Sequence, residues 1–198
     1  MNTQTKTTKD RILAAARGLF EAEGAAGLSM HQIGKIVGIT PMAIYRHYEN
    51  KQALVDALVL DALGEWSDIV ARIPPGEPLA WLAAIGEAHL DFALRKPRRY
   101  EAAFLLHSTK ARRYPDDFVE GRSPAGALQL KLIGQLIDQG FLEAASPVEV
   151  MVANAALSQG LITLYYAGRI AGGEAEFREL YRRASARSTI SFMTEKRT

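Results

Sequence analysis

The sequence predicts an all-α fold: a three-helix N-terminal bundle joined by a long helix to a larger helical domain, about nine helices in all. Three observations carry this expectation. Apolar residues recur almost throughout at the three- and four-residue spacing of a helix face. Strictly alternating runs rich in valine, isoleucine and threonine are missing. Prolines and glycines fall mainly between the periodic segments.

The elements follow in order. Residues 1–8 read as a flexible polar arm. Thr8 caps a first helix over 9–23, where Ile12, Ala16, Leu19 and Phe20 make one apolar stripe. Gly24 and Gly27 break the chain. Ser29 caps a second helix over 30–37, with Gln32 completing an S-x-x-Q box and Ile33, Ile36 and Val37 facing inward. Gly38 supplies the positive φ that ends it. Thr40 caps a third helix over 41–48, and Pro41 takes its first position, where a missing N–H costs nothing. Asn50 caps a long fourth helix over 51–72, with Leu54, Leu58 and Trp66 inward. Pro74, Pro75 and Gly76 stop it. Helices over 78–95, 97–107, 125–139, 147–170 and 174–194 complete the chain, and a long loop over 108–124 interrupts them. The fourth helix is too long to serve the small bundle alone, so the domain boundary is expected near residue 66, with domains over 9–66 and 67–198.

Composition narrows the function. The 198 residues are 48% hydrophobic and 23% charged, the balance of an ordinary globular protein, with a net charge of +2. The absence of cysteine excludes disulfides, zinc–thiolate sites, iron–sulfur clusters and a cysteine nucleophile. The polar N-terminus lacks the apolar stretch of a secretory signal, so a cytoplasmic location is expected. Residues 150–168 carry no charge but include Asn154, Ser158, Gln159 and Thr163, so they read as a helix covered by protein rather than a membrane span. No G-x-G-x-x-G, P-loop or H-E-x-x-H occurs, and the four histidines are scattered. Gly121-Arg122-Ser123-Pro124-Ala125 falls one residue short of a nucleophile elbow and has no strand before it. No catalytic residue, cofactor or metal is expected.

The informative segment is 29–48. Two short helices joined by Gly38-Ile39-Thr40 make a helix-turn-helix. A major groove about 12 Å wide admits one α-helix, so a reader must present a short, supported, protruding one. Ile44 and Tyr48, four residues apart, anchor the second helix to the first. Pro41, Met42, Ala43, Tyr45 and Arg46 are left for its outer face. Arg46 suits guanine O6 and N7, and Met42 and Ala43 suit a thymine methyl. Tyr45 and His47 can reach phosphates; Lys51, Ser29 and Met30 stand where helix starts expose N–H groups to them. Solvated surface is the alternative reading of Arg46, Lys51 and His31, and a core position that of Tyr45. The first 51 residues hold seven basic and four acidic side chains, an excess too modest to indicate DNA alone.

This segment resembles the tetracycline-repressor (TetR) family of bacterial transcription regulators. The matching pieces are Ile12-Leu13-Ala14-Ala15-Ala16 with Leu19-Phe20, Gly27-Leu28-Ser29, Ile33 with Val37-Gly38-Ile39, Ile44-Tyr45-Arg46-His47-Tyr48, Asn50-Lys51 and Leu54. They cover roughly residues 8–60. The resemblance implies a homodimer that binds a palindromic double-stranded operator and is released by a small-molecule effector. By motif position it places the base and phosphate contacts on His31, Pro41, Met42, Ala43, Tyr45, Arg46, His47 and Lys51. His31 and Arg46 stand at variable positions, so operator sequence does not carry over. Gly34 replaces the usual alanine, at an expected cost of about 1 kcal/mol to its helix.

The remainder is then expected to bind ligand and to dimerise. A pocket is expected from Trp66, Trp81, His89, Phe92, Tyr100, Phe104 and His107, with the two histidines as polar handles in an apolar cavity; the alternative is two hydrogen-bonded core histidines. The last two long helices are expected to form a four-helix interface with a second copy through Val152, Ala156, Gln159, Gly160, Thr163, Phe177, Tyr181, Ala184 and Ser188; the alternative is a helix buried within its own chain. The basic clusters at 95–99 and 178–187 read as solvated faces. Two other readings stand beside a repressor: an activator of the same fold, and a helical small-molecule-binding protein that does not touch DNA.

Overall fold

A computed structural model describes residues 7–194. Among them are ten α-helices and one 3-10 turn: α1 (Thr8–Glu23), the 3-10 turn (Gly24–Gly27), α2 (Met30–Val37), α3 (Pro41–Tyr45), α4 (Lys51–Ala71), α5 (Pro78–Arg95), α6 (Pro97–Phe104), α7 (Asp116–Val119), α8 (Pro124–Asp138), α9 (Pro147–Tyr166) and α10 (Glu174–Ile190). The described residues hold no strand, only an isolated bridge between Leu142 and Met193. The arm expected over 1–8 lies largely outside the described residues. Its last two positions belong to the helix: Thr7, not Thr8, is the cap, and a reciprocal box with Asp10 closes the start of α1.

The chain divides into two compact units. The first holds residues up to Glu65 together with Lys96–Ala111; the second holds Trp66–Arg95 and the chain from Arg112 on. The division expected near 66 therefore needs a correction: α6 and the residues after it cluster with the first unit, although they follow α5 in sequence. Charge explains this. Arg99 of α6 is buried and pairs with Asp61 at 2.8 Å and Glu65 at 2.6 Å, both on α4, while Lys96 reaches Glu65 at 2.6 Å. Arg17 of α1 takes the other oxygen of Asp61 at 2.7 Å. Arg99 is thus a structural cation and not part of a solvated face.

In the first unit α1 packs on α2 and α6, and α2 on α3. Ile12, Ala16, Phe20, Ile33, Ile44, Leu54 and Leu58 are almost wholly buried, each larger side chain contributing about 1.5–3 kcal/mol. Ile36, expected inward, is 59% exposed. The second unit surrounds a core of Phe118, Ile133, Leu136, Leu142, Val150 and Met151. There α8 lies against α5, α7 and α9, and α10 against α5 and α9.

Candidate functional site

The helix-turn-helix is built by local chemistry. Ser29 Oγ accepts from the Gln32 N–H at 3.5 Å and starts α2. Gly38, at φ 76° and ψ 35°, ends α2 in the left-handed region open to glycine. Its N–H and that of Ile39 both donate to the Gly34 carbonyl, at 2.9 and 3.0 Å. A Cβ on Gly34 would sit 2.7 Å from the Ile39 carbonyl oxygen, so the turn closes over a position that has no side chain. This close approach is what the helix gains from a residue of low propensity. Thr40 Oγ1 then accepts from the Ala43 N–H at 3.2 Å and starts α3, with Pro41 in its first turn.

The ordered helix of α3 ends at Tyr45, three residues before the expected limit. The turn continues without regular helix: the His47 and Tyr48 N–H groups both reach the Ile44 carbonyl, at 2.9 and 3.0 Å. Ile44 is fully buried and Tyr48 only 5% exposed. The Tyr48 hydroxyl donates to the Lys9 carbonyl on α1 over a long 3.4 Å, and the Lys9 ammonium lies 5.5 Å from its ring centre. Burial first, and then the charges of Asp10 and Asp61, push the Tyr48 phenol up from its ordinary value. Two anchors therefore hold one side of the turn.

The other side is open. Met42 is 71% exposed and Tyr45 44%; Pro41, Arg46, His47, His31 and Lys51 are also exposed. Ser29, Met30 and Ala43 are half-buried. Asn50 Oδ1 accepts from the Ala53 N–H at 2.8 Å, so α4 starts where expected and Lys51 stands at its first position. All ten residues expected at a nucleic-acid face lie in the first unit.

The seven expected pocket residues divide between the units. Trp66, Trp81, His89 and Phe92 are buried in the second. Trp66 meets His89 edge-on at 5.4 Å and stacks with Phe92 at 6.0 Å; Trp81 Nε1 donates to the Ile73 carbonyl at 3.4 Å. Burial pushes the His89 imidazole down to about 4, so it is neutral at physiological pH. Tyr100 and Phe104 pack at 5.0 Å in the first unit. His107 corrects the expectation: α6 ends at Phe104, where the Leu105 and Leu106 N–H groups both close on the Glu101 carbonyl, and His107 is exposed beyond the turn.

The expected interface residues also separate. Val152, Ala156, Gly160 and Thr163 lie on the exposed face of α9, with Gln159 half-buried beside them. Phe177 and Tyr181 do not belong with them. Both are at most 1% exposed within their own unit. Phe177 stacks on Tyr165 at 4.1 Å, and the Tyr181 hydroxyl bonds Gly86 O at 3.2 Å and Ser158 Oγ at 3.0 Å. Ser188 Oγ donates to Asn154 Oδ1 at 2.8 Å, and Ala184 is half-buried. These side chains join α10 to α9. The cluster at 178–187 is likewise partly structural: Arg178 pairs with Asp91 and Glu174, both at 2.8 Å, and Arg182 makes a two-pronged pair with Glu87.

One polar group escaped sequence reasoning. Asp56 of α4 is buried and accepts from Ser108 Oγ at 2.7 Å, the Thr109 N–H at 3.0 Å, the Thr109 hydroxyl and Gln52 Nε2 at 3.0 Å. Burial alone would raise its carboxyl; the hydrogen bonds from Thr109, Gln52 and Ser108 outweigh it and hold the group at about 2. The available signal was a single acid inside the apolar run Leu54-Val55-Asp56-Ala57-Leu58.

A supported helix-turn-helix with an open outer face, in a chain whose described residues hold helices and no named strand, is the arrangement of helix-turn-helix regulators. The family model described as bacterial regulatory proteins of the tetR family matches residues 12–58, and the tetracyclin repressor-like C-terminal domain matches residues 82–187. The chain belongs to the TetR family of DNA-binding transcriptional regulators. It is 40% identical over 60 residues to the HTH-type transcriptional regulator UidR of Escherichia coli K12; the match covers 30% of this chain and 31% of that protein. Its fold is similar to a protein of unknown function from Rhodococcus sp. RHA1, with a TM-score of 0.76, 20% identity and 98% of each chain covered. It is also similar to a putative tetR family regulator from Shewanella sp. PV-4, with a TM-score of 0.70, 21% identity, and 96% of this chain and 100% of that one covered. By length and composition α9 could cross a membrane, yet it buries Val150, Met151 and Ile162 in the second unit.

Proposed function

We propose that this regulator is a cytoplasmic homodimeric repressor that leaves a palindromic operator when a small molecule binds its second unit. The carrying observation is the division of the 41–48 turn into a buried side, Ile44 and Tyr48, and an open side, Met42, Tyr45, Arg46 and His47. A rigid mount with exposed donors suits a major groove. In this reading Arg46 reads guanine. Tyr45, His47, His31, Lys51, Ser29 and Met30 reach phosphates, and Pro41 and Ala43 line the groove edge.

The open face of α9 supports the dimer. Val152, Ala156, Gly160 and Thr163 recur at helical spacing, and nothing lies within 4 Å of a Cβ placed on Gly160. A second α9 can approach closely there. Two copies would present recognition turns to half-sites about 34–36 Å apart. The Trp66–His89–Phe92 cluster is the effector site this reading favours: apolar walls with one neutral imidazole. Trp66 lies on α4, the helix that begins at Lys51, so a ligand that displaces it perturbs the same helix.

The test combines a gel shift on duplexes selected from a random library, sedimentation of the protein, and a reporter driven from a selected site. The expected result is salt-dependent binding by a dimer and reporter output that falls with the protein. A protein that enriches no sequence, or stays monomeric on bound DNA, overturns the reading. Reporter output that rises identifies an activator instead.

A further inference from the structure

Arg11 lies outside the helix-turn-helix, on α1, yet its Nη2 donates to the Val37 carbonyl at 2.6 Å, 26 residues further along the chain. Val37 is the last residue of α2 and stands directly before Gly38, whose left-handed backbone turns the chain toward α3. A helix leaves the carbonyls of its last turn without partners and carries partial negative charge there. In α2 the Gly38 and Ile39 N–H groups meet the Gly34 carbonyl, and the Arg11 guanidinium meets that of Val37. The same stretch of α1 holds the far end of the recognition turn. The Tyr48 hydroxyl donates to the Lys9 carbonyl, two residues before Arg11, and Ile12, next to Arg11, is fully buried. The reciprocal box of Thr7 and Asp10 fixes the start of α1 just ahead of these residues. The segment from Val37 to Tyr48 is therefore tied at both ends to residues 9–11.

We infer that Arg11 is a positioning residue for sequence reading: it touches no nucleic acid and fixes the entry of α3 by holding the C-terminal end of α2. The inference rests on the reading above that the 41–48 turn enters the major groove. Paired donors on a base edge must be placed to within about 0.5 Å. A phosphate contact made by a long, flexible side chain survives a larger displacement. Loss of the tie therefore lowers affinity for a preferred sequence and spares the affinity for other sequences. A cation that itself met a phosphate would behave differently: its loss would weaken every sequence and lower the salt dependence.

The test uses the full chain, a duplex enriched by selection from a random library, and a second duplex of unrelated sequence. Arg11→Met keeps the stem and removes the donor; Arg11→Lys keeps a charged donor of similar reach. Arg11 is itself exposed, and thermal melts set a temperature at which all three chains are fully folded. There, Arg11→Met should bind the selected duplex about three- to tenfold more weakly than wild type and the unrelated duplex within about twofold of it. The slope of log affinity against log salt on the selected duplex should match that of wild type. Arg11→Lys should recover at least half of the lost affinity. A purely structural role would lower the melting temperature and leave the ratio of the two affinities unchanged in the folded chain, which overturns the inference. A loss of equal size on both duplexes, with a slope lower by about 1, makes Arg11 a phosphate contact and also overturns it. So does an Arg11→Lys chain as weak as Arg11→Met, because the hydrogen bond to Val37 would then not be the cause. Each of these outcomes leaves DNA binding standing. A wild-type chain that enriches no sequence overturns both readings.

Discussion

Thr109 meets Asp56 twice: its backbone N–H donates to Oδ1 at 3.0 Å, and its hydroxyl donates to Oδ2. With Ser108 and Gln52 added, the carboxylate is surrounded by donors. Asp56→Asn would turn two N–H groups toward groups that donate already. The expected cost is roughly 3 kcal/mol in chemical denaturation, with the 108–109 segment released from α4.

The same site sets an acid dependence. The ordinary carboxyl value of 3.8 is lowered to about 2 in the fold, so its stabilisation is fully present above about pH 4. It is lost as pH falls from about 4 toward 2. The stability gap between wild type and Asp56→Asn should be constant from pH 5 to 8 and close below pH 4. A gap that persists at pH 2 would contradict the hydrogen-bond account.

Arg99→Met tests the ion cluster of α4 and α6. The substitution keeps the stem and removes the charge, leaving Asp61 and Glu65 short of a cation. Arg17 and Lys96 remain, so the loss should be on the order of 3 kcal/mol rather than the whole cluster. Thermal melts at low and high salt give the value.

Arg46→Ala should weaken binding to a selected site by about 1–3 kcal/mol and relax preference at one base pair. Lys51→Ala should weaken all sequences alike and lower the slope of log affinity against log salt by about 1. Equal effects of both variants on every sequence would deny Arg46 a base contact.

Ala156→Glu places a charge on the open face of α9 without touching the core. Sedimentation should show a monomer whose unit melts normally, and binding to a full palindrome should fall to that of one half-site. An unchanged dimer would move the interface elsewhere.

What could be read from the sequence was whatever a few neighbouring residues decide. Ser29, Thr40 and Asn50 cap within three positions of themselves, and Gly38 ends its own helix, so α2 and the starts of α3 and α4 fall where expected. The outer face of the 41–48 turn followed from Ile44 and Tyr48 being four apart. The pairings of Asp56 with Thr109 and of Arg99 with Glu65 were illegible because these partners lie 53 and 34 residues away; the apolar run around Asp56 marks the acid but not what meets it. Phe177 and Tyr181 show the limit of periodicity. Their spacing revealed an apolar face on α10 but not that α5 and α9 of the same chain already cover it. His107 fell outside the helix because α6 closes early on Glu101, a choice of carbonyl that composition does not announce.

Asp61 divides its two oxygens between guanidiniums from α1 and α6. Substitutions at Arg17 and Arg99 therefore draw on a common anion. Whichever is lost first leaves the survivor with an undivided counter-ion, and the second loss removes the last one. The two effects will not sum, and the excess measured in a double-mutant cycle reports how strongly helices distant in sequence share one electrostatic fate.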